Sequence, residues 1–206
     1  NLKSLVSKQN FKEKYKINSK FILFVGRFSK VKGIETLIHA FNIIKNELKI
    51  VNTRLVIMGV DFGYQNEMFE LIKKLDLSEQ ITVIKNPPRD DVISAYGESE
   101  FLVLPSQWEL SPLVPLESFA FKRPVIATNA HGIPYTVRNN KNGILVEPEN
   151  PIQLSDAMTK LLNNLELREK LGLAGYNFVH KECNCLLMAK NSLKLYEDVL
   201  ENNQNK

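Results

Sequence analysis

Short apolar runs alternate with helical patterns along most of this sequence, and this alternation limits the possible folds more than any other feature. The runs are rich in Val, Ile, Leu and Phe, as expected of strands that are buried on both faces. They lie at residues 21–25, 55–58, 81–84, 101–104, 124–127 and 144–146. Strands that alternate with helices form parallel sheets covered by helices. The sequence therefore predicts one α/β domain over residues 1–206, doubly wound around a mainly parallel six-stranded sheet.

The segments between the runs have the 3.6-residue spacing of amphipathic helices. The apolar face of the first predicted helix consists of Ile34, Leu37, Ile38, Phe41, Ile44 and Leu48. Asp90 or Asp91 is expected to cap a later helix. Breaks are expected in the C-terminal helical region at residues 163–164 and 172–175. The other predicted helical segments are a charged lead-in at 1–18, then 65–76, 90–98, a segment from 151 onward, and 186–200.

Composition is that of an ordinary globular chain, with 44% hydrophobic and 24% charged residues among 206. The net charge of +4 is too mild to indicate a nucleic-acid partner. No apolar run approaches the ~20 residues of a membrane span, so membrane association is not indicated. Cys183 and Cys185 are separated by one residue, too close for an ordinary disulfide, and no other cysteine could complete a zinc site, which favours reduced thiols and a cytoplasmic location. The sequence begins at Asn1 and not at Met, which suggests a fragment of a longer protein.

Residues 101–120, FLVLPSQWELSPLVPLESFA, have the order strand, polar loop, helix start. This order is typical of nucleotide sites at the carboxyl edge of a parallel sheet. Pro112 and Pro115 fit a helix start, where the missing N–H costs little. They leave free backbone donors for an anion at Ser111, Leu113 and Val114. Because Glu109 and Glu117 flank these donors, we expect an anionic ligand that also carries hydroxyl groups, such as a sugar nucleotide.

Two further signatures, GRFSKVKG at 26–33 and Gly59, follow other predicted strands. RPVIAT at 123–128 and NGILV at 142–146 contain the fifth and sixth predicted strands. Together with the PSxxE and PLES patterns at 105–118, their order and spacing resemble the C-terminal domain of retaining glycosyltransferases of family 4, also called group 1. The resemblance covers about residues 21–200 and implies the Rossmann-like half of a GT-B enzyme. Such enzymes transfer a hexose from a nucleoside diphosphate sugar to an acceptor hydroxyl.

The resemblance implies roles for the residues at this edge. Arg27 and Lys32 are expected to bind the donor diphosphate and stabilise the charge of the leaving group. Glu109 is expected to lie near the transferred sugar, which makes it a catalytic candidate together with the two cations. Glu117 is expected to accept hydrogen bonds from the ribose hydroxyls. The other donor-binding candidates are Gly26, Gly59, Lys85, Ser111, Leu113 and Val114.

Each charged residue also has a plainer interpretation. Arg27 and Lys32 would otherwise be surface charges beside a glycine turn, and Glu109 a solvated loop acid. Glu117 would be a carboxylate favoured by the dipole at a helix N-terminus.

The sequence also departs from the family pattern at three places. Lys85 stands where glycine is common, and Tyr135 where glutamate is common. Leu-Ser-Pro at 110–112 replaces a glycine-containing segment. The roles of Lys85, Tyr135 and Trp108 stay open at this point.

No Asp-x-Asp triplet stands at a strand end, and the sequence shows no cluster with metal-ligand spacing. We therefore expect metal-independent transfer without a cofactor, from a UDP-, GDP- or ADP-hexose. The expected partners are the protein's own N-terminal half, against which the helix at 186–200 would pack, and an acceptor that is a glycan, a lipid or a small molecule. The fragment alone is expected to bind the donor without turning it over.

Two other classes share a doubly wound architecture. A dinucleotide-dependent oxidoreductase would show G-x-G-x-x-G after its first strand, and this sequence does not. A non-enzymatic nucleotide-binding or signalling domain would have no reason to place Arg27, Lys32, Glu109 and Glu117 at one edge.

Overall fold

A computed structural model describes residues 10–46, 52–183 and 185–204, with one parallel sheet at its centre. The strands are β1 (Lys20–Val25), β2 (Thr53–Gly59), β3 (Ile81–Lys85), β4 (Phe101–Leu104), β5 (Val125–Thr128) and β6 (Gly143–Val146). They lie in the order β3-β2-β1-β4-β5-β6, and every neighbouring pair is parallel. The chain order reverses between β1 and β4, and open sheets bind ligands in the crevice outside the carboxyl ends at such a point. The predicted doubly wound, six-stranded α/β fold is confirmed.

Helices cover both faces of the sheet. They are α1 (Phe11–Lys14), α2 (Ile34–Asn46), α3 (Gln65–Lys74), α4 (Arg89–Glu98), α5 (Val114–Ala120), α6 (Ile133–Thr136), α7 (Pro151–Asn163), α8 (Leu165–Glu182) and α9 (Cys185–Gln204), with a 3₁₀ turn at Lys30–Lys32. The predicted lead-in helix at 1–18 is thus short in its described part, and residues 1–9 lie outside that part.

The sheet is buried on both sides. In β1, Ile22 and Phe24 belong to one hydrophobic core with α2, α3 and α7, whereas Phe21 and Leu23 belong to a second core with α1, α4 and α5. Successive side chains of a strand point to opposite faces, which explains why the runs are continuously apolar. The predicted apolar face of α2 is confirmed from Ile34 to Ile44, while Leu48 lies outside the described residues.

The predicted helix break at 172–175 is wrong, because α8 continues through it. Its glycines serve close helix packing. A Cβ atom on Gly175 would lie 2.2 Å from Cδ1 of Phe119, and one on Gly172 would lie 2.1 Å from the carbonyl oxygen of Lys122. The glycines therefore let α8 approach α5 and the turn that follows it.

The start of α4 also differs from the prediction. Pro88 occupies the N-cap position without a side-chain cap bond, so the predicted cap by Asp90 or Asp91 is wrong. Asp91 instead accepts hydrogen bonds from Lys14 Nζ at 2.8 Å and from the Tyr15 hydroxyl at 2.5 Å. These bonds tie the segment around α1 to α4.

The last helix, α9, includes the predicted segment 186–200 and presents apolar side chains to solvent. The exposed ones are Leu186, Met188, Leu193, Leu195, Tyr196, Val199 and Leu200. Among the described residues, no helix is both long enough and apolar enough to cross a membrane.

Candidate functional site

The loop after β1 places Lys32 against the loop after β4. Gly33, at φ 66°, has the left-handed conformation that favours glycine. A Cβ atom on it would lie 1.9 Å from the carbonyl oxygen of Pro105, so the two loops touch. The amide N–H of Gln107 also donates to the carbonyl oxygen of Val31 at 2.8 Å. The two loops are therefore held together next to Lys32.

Lys32 and Glu109 form an ion pair through Nζ and Oε1. Their side chains are only 13% and 15% exposed. The same oxygen of Glu109 accepts a hydrogen bond from Ser106 Oγ at 3.1 Å. Glu109 is thus a fixed carboxylate, and its interpretation as a solvated loop acid is wrong.

Backbone bonds fix the Glu109 loop further. The hydroxyl of Thr128, at the end of β5, donates to the carbonyl oxygen of Ser106. The amide N–H of Gly132 donates to the carbonyl oxygen of Glu109 at 2.8 Å. Trp108 is half-exposed and meets the ring of His131 edge-on, with 6.0 Å between ring centroids.

Arg27 lies on the outer side of the same edge. Its guanidinium is stacked over the ring of Phe62, 4.9 Å from the ring centroid, and both residues are exposed. The loops that carry them are bonded to each other, since Phe28 N–H donates to the carbonyl of Val60 at 2.7 Å and Phe62 N–H to that of Phe28 at 3.0 Å. Gly26 and Gly59 also meet here. Phe62 is a contact of Arg27 that the sequence did not indicate.

Glu117 lies in the first turn of α5 and is bonded to two residues of α4. Its Oε1 accepts from Arg89 Nη2 at 2.5 Å, and its Oε2 accepts from the Tyr96 hydroxyl at 2.8 Å. The hydrogen bond to Glu117 raises the pKa of Arg89. Burial, followed by the charge of Glu117, raises the pKa of Tyr96 well above its ordinary value. Sequence reasoning missed both partners, although the place of Arg89 just after β3 was a usable signal.

The proposed anion donors lie between the two carboxylates. Ser111 and Leu113 are exposed and precede α5, which begins at Val114. No hydrogen bond from the amide N–H of these three residues is found within the described part of the chain. Because α5 has only seven residues, the single N–H groups matter more here than a helix dipole.

Two of the three departures from the family pattern, Lys85 and Tyr135, are solvent-exposed. Lys85 ends β3, where its Cα atom is paired with that of Gly59. Tyr135 is 83% exposed. No group of three or more potential metal ligands occurs in the residues that the structure describes.

Comparison with known proteins supplies the family. The family model described as "Glycosyl transferases group 1" matches residues 7–178. The chain belongs to this family. An uncharacterized glycosyltransferase of Methanocaldococcus jannaschii is 33% identical over 181 residues, which are 87% of this chain and 48% of that protein. The chain spans about half the length of this curated relative.

Solved structures of glycosyltransferases have the same architecture. The C-terminal domain of a group 1 glycosyl transferase from Francisella tularensis matches with a TM-score of 0.77 and 26% identity, over 90% of this chain and 98% of that one. The predicted resemblance to this domain is confirmed. Anabaena HepE in complex with UDP-glucose matches with a TM-score of 0.82 over 95% of this chain and 55% of that one. Its 16% identity shows the fold alone.

Proposed function

We propose that this chain binds the nucleoside diphosphate sugar for a retaining hexosyltransferase that transfers the hexose to an acceptor hydroxyl. One observation carries the proposal: Lys32, Glu109 and Glu117 are held by side-chain contacts at the edge where the strand order reverses. Open parallel sheets bind nucleotides at this edge. Membership of the glycosyl transferases group 1 supports the reaction class.

Arg27 and Lys32 bind the diphosphate. The Lys32 ammonium has three N–H donors and its pairing with Glu109 uses one of them, so the others can bond a phosphate oxygen while the ion pair persists. Arg27 is exposed and offers a planar guanidinium that suits bidentate contact with phosphate oxygens. During transfer, both cations stabilise the negative charge that develops on the leaving diphosphate.

Glu109 faces the transferred sugar in this proposal. Lys32 and Ser106 both hold its Oε1, which leaves Oε2 for a sugar hydroxyl or for positive charge at the anomeric carbon. The distal phosphate is assigned to the amide groups of Ser111, Leu113 and Val114. Lys85 is assigned to the part of the site that holds the nucleobase. The backbones of Gly26 and Gly59 lie close to each other in this region.

The donor is a UDP-, GDP- or ADP-hexose. The UDP-glucose complex of the Anabaena neighbour supports a nucleotide sugar as the ligand of this fold. In this proposal Arg27 and Lys32 supply the positive charge that faces the diphosphate, so that transfer does not need a metal ion. The free thiol of Cys183 supports a reducing, cytoplasmic location.

The acceptor, whether glycan, lipid or small molecule, binds with the help of an N-terminal half. The apolar side chains that α9 presents to solvent support packing of this helix against that half. The chain of residues 1–206 is thus one donor-binding domain that binds the nucleotide sugar but does not turn it over alone.

Calorimetric titration with UDP, GDP, ADP and NAD tests the proposal. We expect one of the three diphosphates to bind best and the Arg27→Ala/Lys32→Ala variant to lose affinity mainly for diphosphates, not for nucleosides. Lys30→Ala is the matched control, because Lys30 is an exposed lysine of the same loop that lines a neighbouring cleft of about 400 Å³ with His39 and Pro151. Binding of NAD alone would indicate an oxidoreductase. If none of the four ligands binds, a non-enzymatic domain is indicated. Detectable sugar transfer by the chain alone would contradict the predicted dependence on a second half.

A further inference from the structure

Two residues of α4 hold the two oxygens of Glu117 separately. Arg89 donates to Oε1 and Tyr96 donates to Oε2. Seven residues separate Arg89 and Tyr96, which is close to two helical turns, so both lie on the same face of α4. Their side chains therefore converge on one carboxylate of the neighbouring helix α5.

Tyr96 is a rigid anchor for this carboxylate. It is among the largest fully buried side chains, and its ring is stacked against that of Phe121 with 6.2 Å between centroids. A ring fixed in a packed core has few alternative rotamers, so the position of its hydroxyl is fixed too. Burial and the neighbouring Glu117 charge keep this hydroxyl protonated, so it remains a donor. Arg89 is different, because 54% of its side chain is exposed.

The carboxylate of Glu117 has acceptor positions that Arg89 and Tyr96 do not use. An ionised carboxylate has about four acceptor positions, two on each oxygen. Arg89 uses one position on Oε1 and Tyr96 uses one on Oε2. One position on each oxygen therefore remains, which matches two neighbouring hydroxyl groups.

We propose that Tyr96 and Arg89 are positioning residues that orient Glu117 so that each of its oxygens accepts one hydroxyl of a ribose 2′,3′-diol. This inference rests on the proposed function and on the ribose contact that the family resemblance implies for Glu117. The roles of the two residues are unequal. Tyr96 fixes the geometry from the core, whereas Arg89, at the solvent-exposed end of the pair, holds Oε1 of Glu117 and contributes less.

The test compares UDP, GDP and ADP with the 2′,3′-dideoxy form of each nucleotide. For the diphosphate that binds most tightly, the ratio of the two affinities measures the contribution of the ribose hydroxyls. In the unmodified chain we expect this ratio to be about tenfold or more. Tyr96→Phe is expected to lower it about fivefold, mostly through weaker binding of the ribose form. Arg89→Ala is expected to lower it about threefold, and Arg89→Lys to recover part of that loss.

Tyr64→Phe is the matched control. Tyr64 is also a buried tyrosine beside a glutamate, Glu35, but it belongs to the core on the other face of the sheet. This variant should leave the ratio unchanged. Thermal unfolding of each variant separates loss of folding from loss of positioning. If Tyr96→Phe does not fold, Arg89→Ala tests the inference, because Arg89 is on the surface.

The possible outcomes separate the two proposals. If no diphosphate binds, the proposed function is wrong and the positioning inference with it. If diphosphates bind but the ratio is close to one in the unmodified chain, donor binding stands and the ribose role of Glu117 is refuted. If the ratio is large and neither Tyr96→Phe nor Arg89→Ala changes it, only the positioning inference is refuted.

Discussion

We expect a large coupling free energy between Lys32 and Glu109, measured by replacing each member of the ion pair singly and together. The perturbations are Lys32→Met, which keeps most of the stem, Glu109→Gln, which keeps the shape, and the double variant. A double-mutant cycle isolates the interaction between the two side chains from their other contacts.

The expected magnitude follows from burial. At a contact distance of about 3 Å, two unit charges attract by about 1.4 kcal/mol in water and about 5.5 kcal/mol at an effective dielectric constant of 20, before desolvation is subtracted. Exposed pairs contribute about 0.2–1 kcal/mol, and breaking a buried pair costs about 3–5 kcal/mol. The side chains of Lys32 and Glu109 are 13% and 15% exposed, nearer to the buried limit. We expect a coupling free energy of about 2 kcal/mol.

Urea unfolding followed by circular dichroism measures this coupling in the unliganded chain. The exposed Arg138–Glu182 pair, at 43% and 53% side-chain exposure, is the matched control and should show about 0.5 kcal/mol or less. High salt should weaken the control more than the Lys32 pair, because buried pairs are screened less. A Lys32–Glu109 coupling no larger than that of the control would refute the description of this pair as a largely buried contact.

Three further outcomes are expected. Burial raises the pKa of Asp91, but the hydrogen bonds from Lys14 and Tyr15 outweigh it, so the pKa is lowered overall. The ionised Asp91 therefore stabilises the fold above its unfolded pKa of about 3.9, and this stabilisation is lost as pH falls through the folded pKa. Urea titrations should show that Asp91→Asn lowers the free energy of unfolding less at about pH 3 than at about pH 7. Phe62→Ala, which frees the guanidinium of Arg27, should weaken diphosphate binding about two- to threefold in calorimetry, whereas Phe69→Ala, an exposed phenylalanine on α3, should not. Gly175→Ala should destabilise the chain by about 1–3 kcal/mol in urea unfolding, because the new methyl group overlaps a buried phenylalanine ring.

The sheet could be predicted from sequence because its physical cause is local. Strands buried on both faces need continuous apolar runs, and each of the six runs became a strand. The glycines of α8 show where this reasoning fails. Glycines such as Gly172 and Gly175 occur both where a helix ends and where another element packs closely against it. Only the positions of Lys122 and Phe119 in the folded chain show that the second case applies here.

The candidate site was predictable to a similar extent. Lys32 and Glu109 follow the ends of adjacent strands, so sequence order and sheet topology together explain why they meet. Tyr96 could not be found in this way, because a tyrosine inside a helix gives no sign of what its hydroxyl reaches. Its contact with Glu117 depends on how α4 packs beside α5, which is a tertiary property.

Backbone amide NMR during a titration with UDP-, GDP- or ADP-glucose is the sharpest test of donor binding at this edge of the sheet, because it locates the ligand on the chain. Saturable shift changes are expected in residues 26–33, 59–62, 85–89 and 109–117. Little change is expected at His39 and Pro151, which line a neighbouring cleft. Shift changes centred on His39 and Pro151 or on α8, or no saturable change with any of the three donors, would contradict donor binding at this edge.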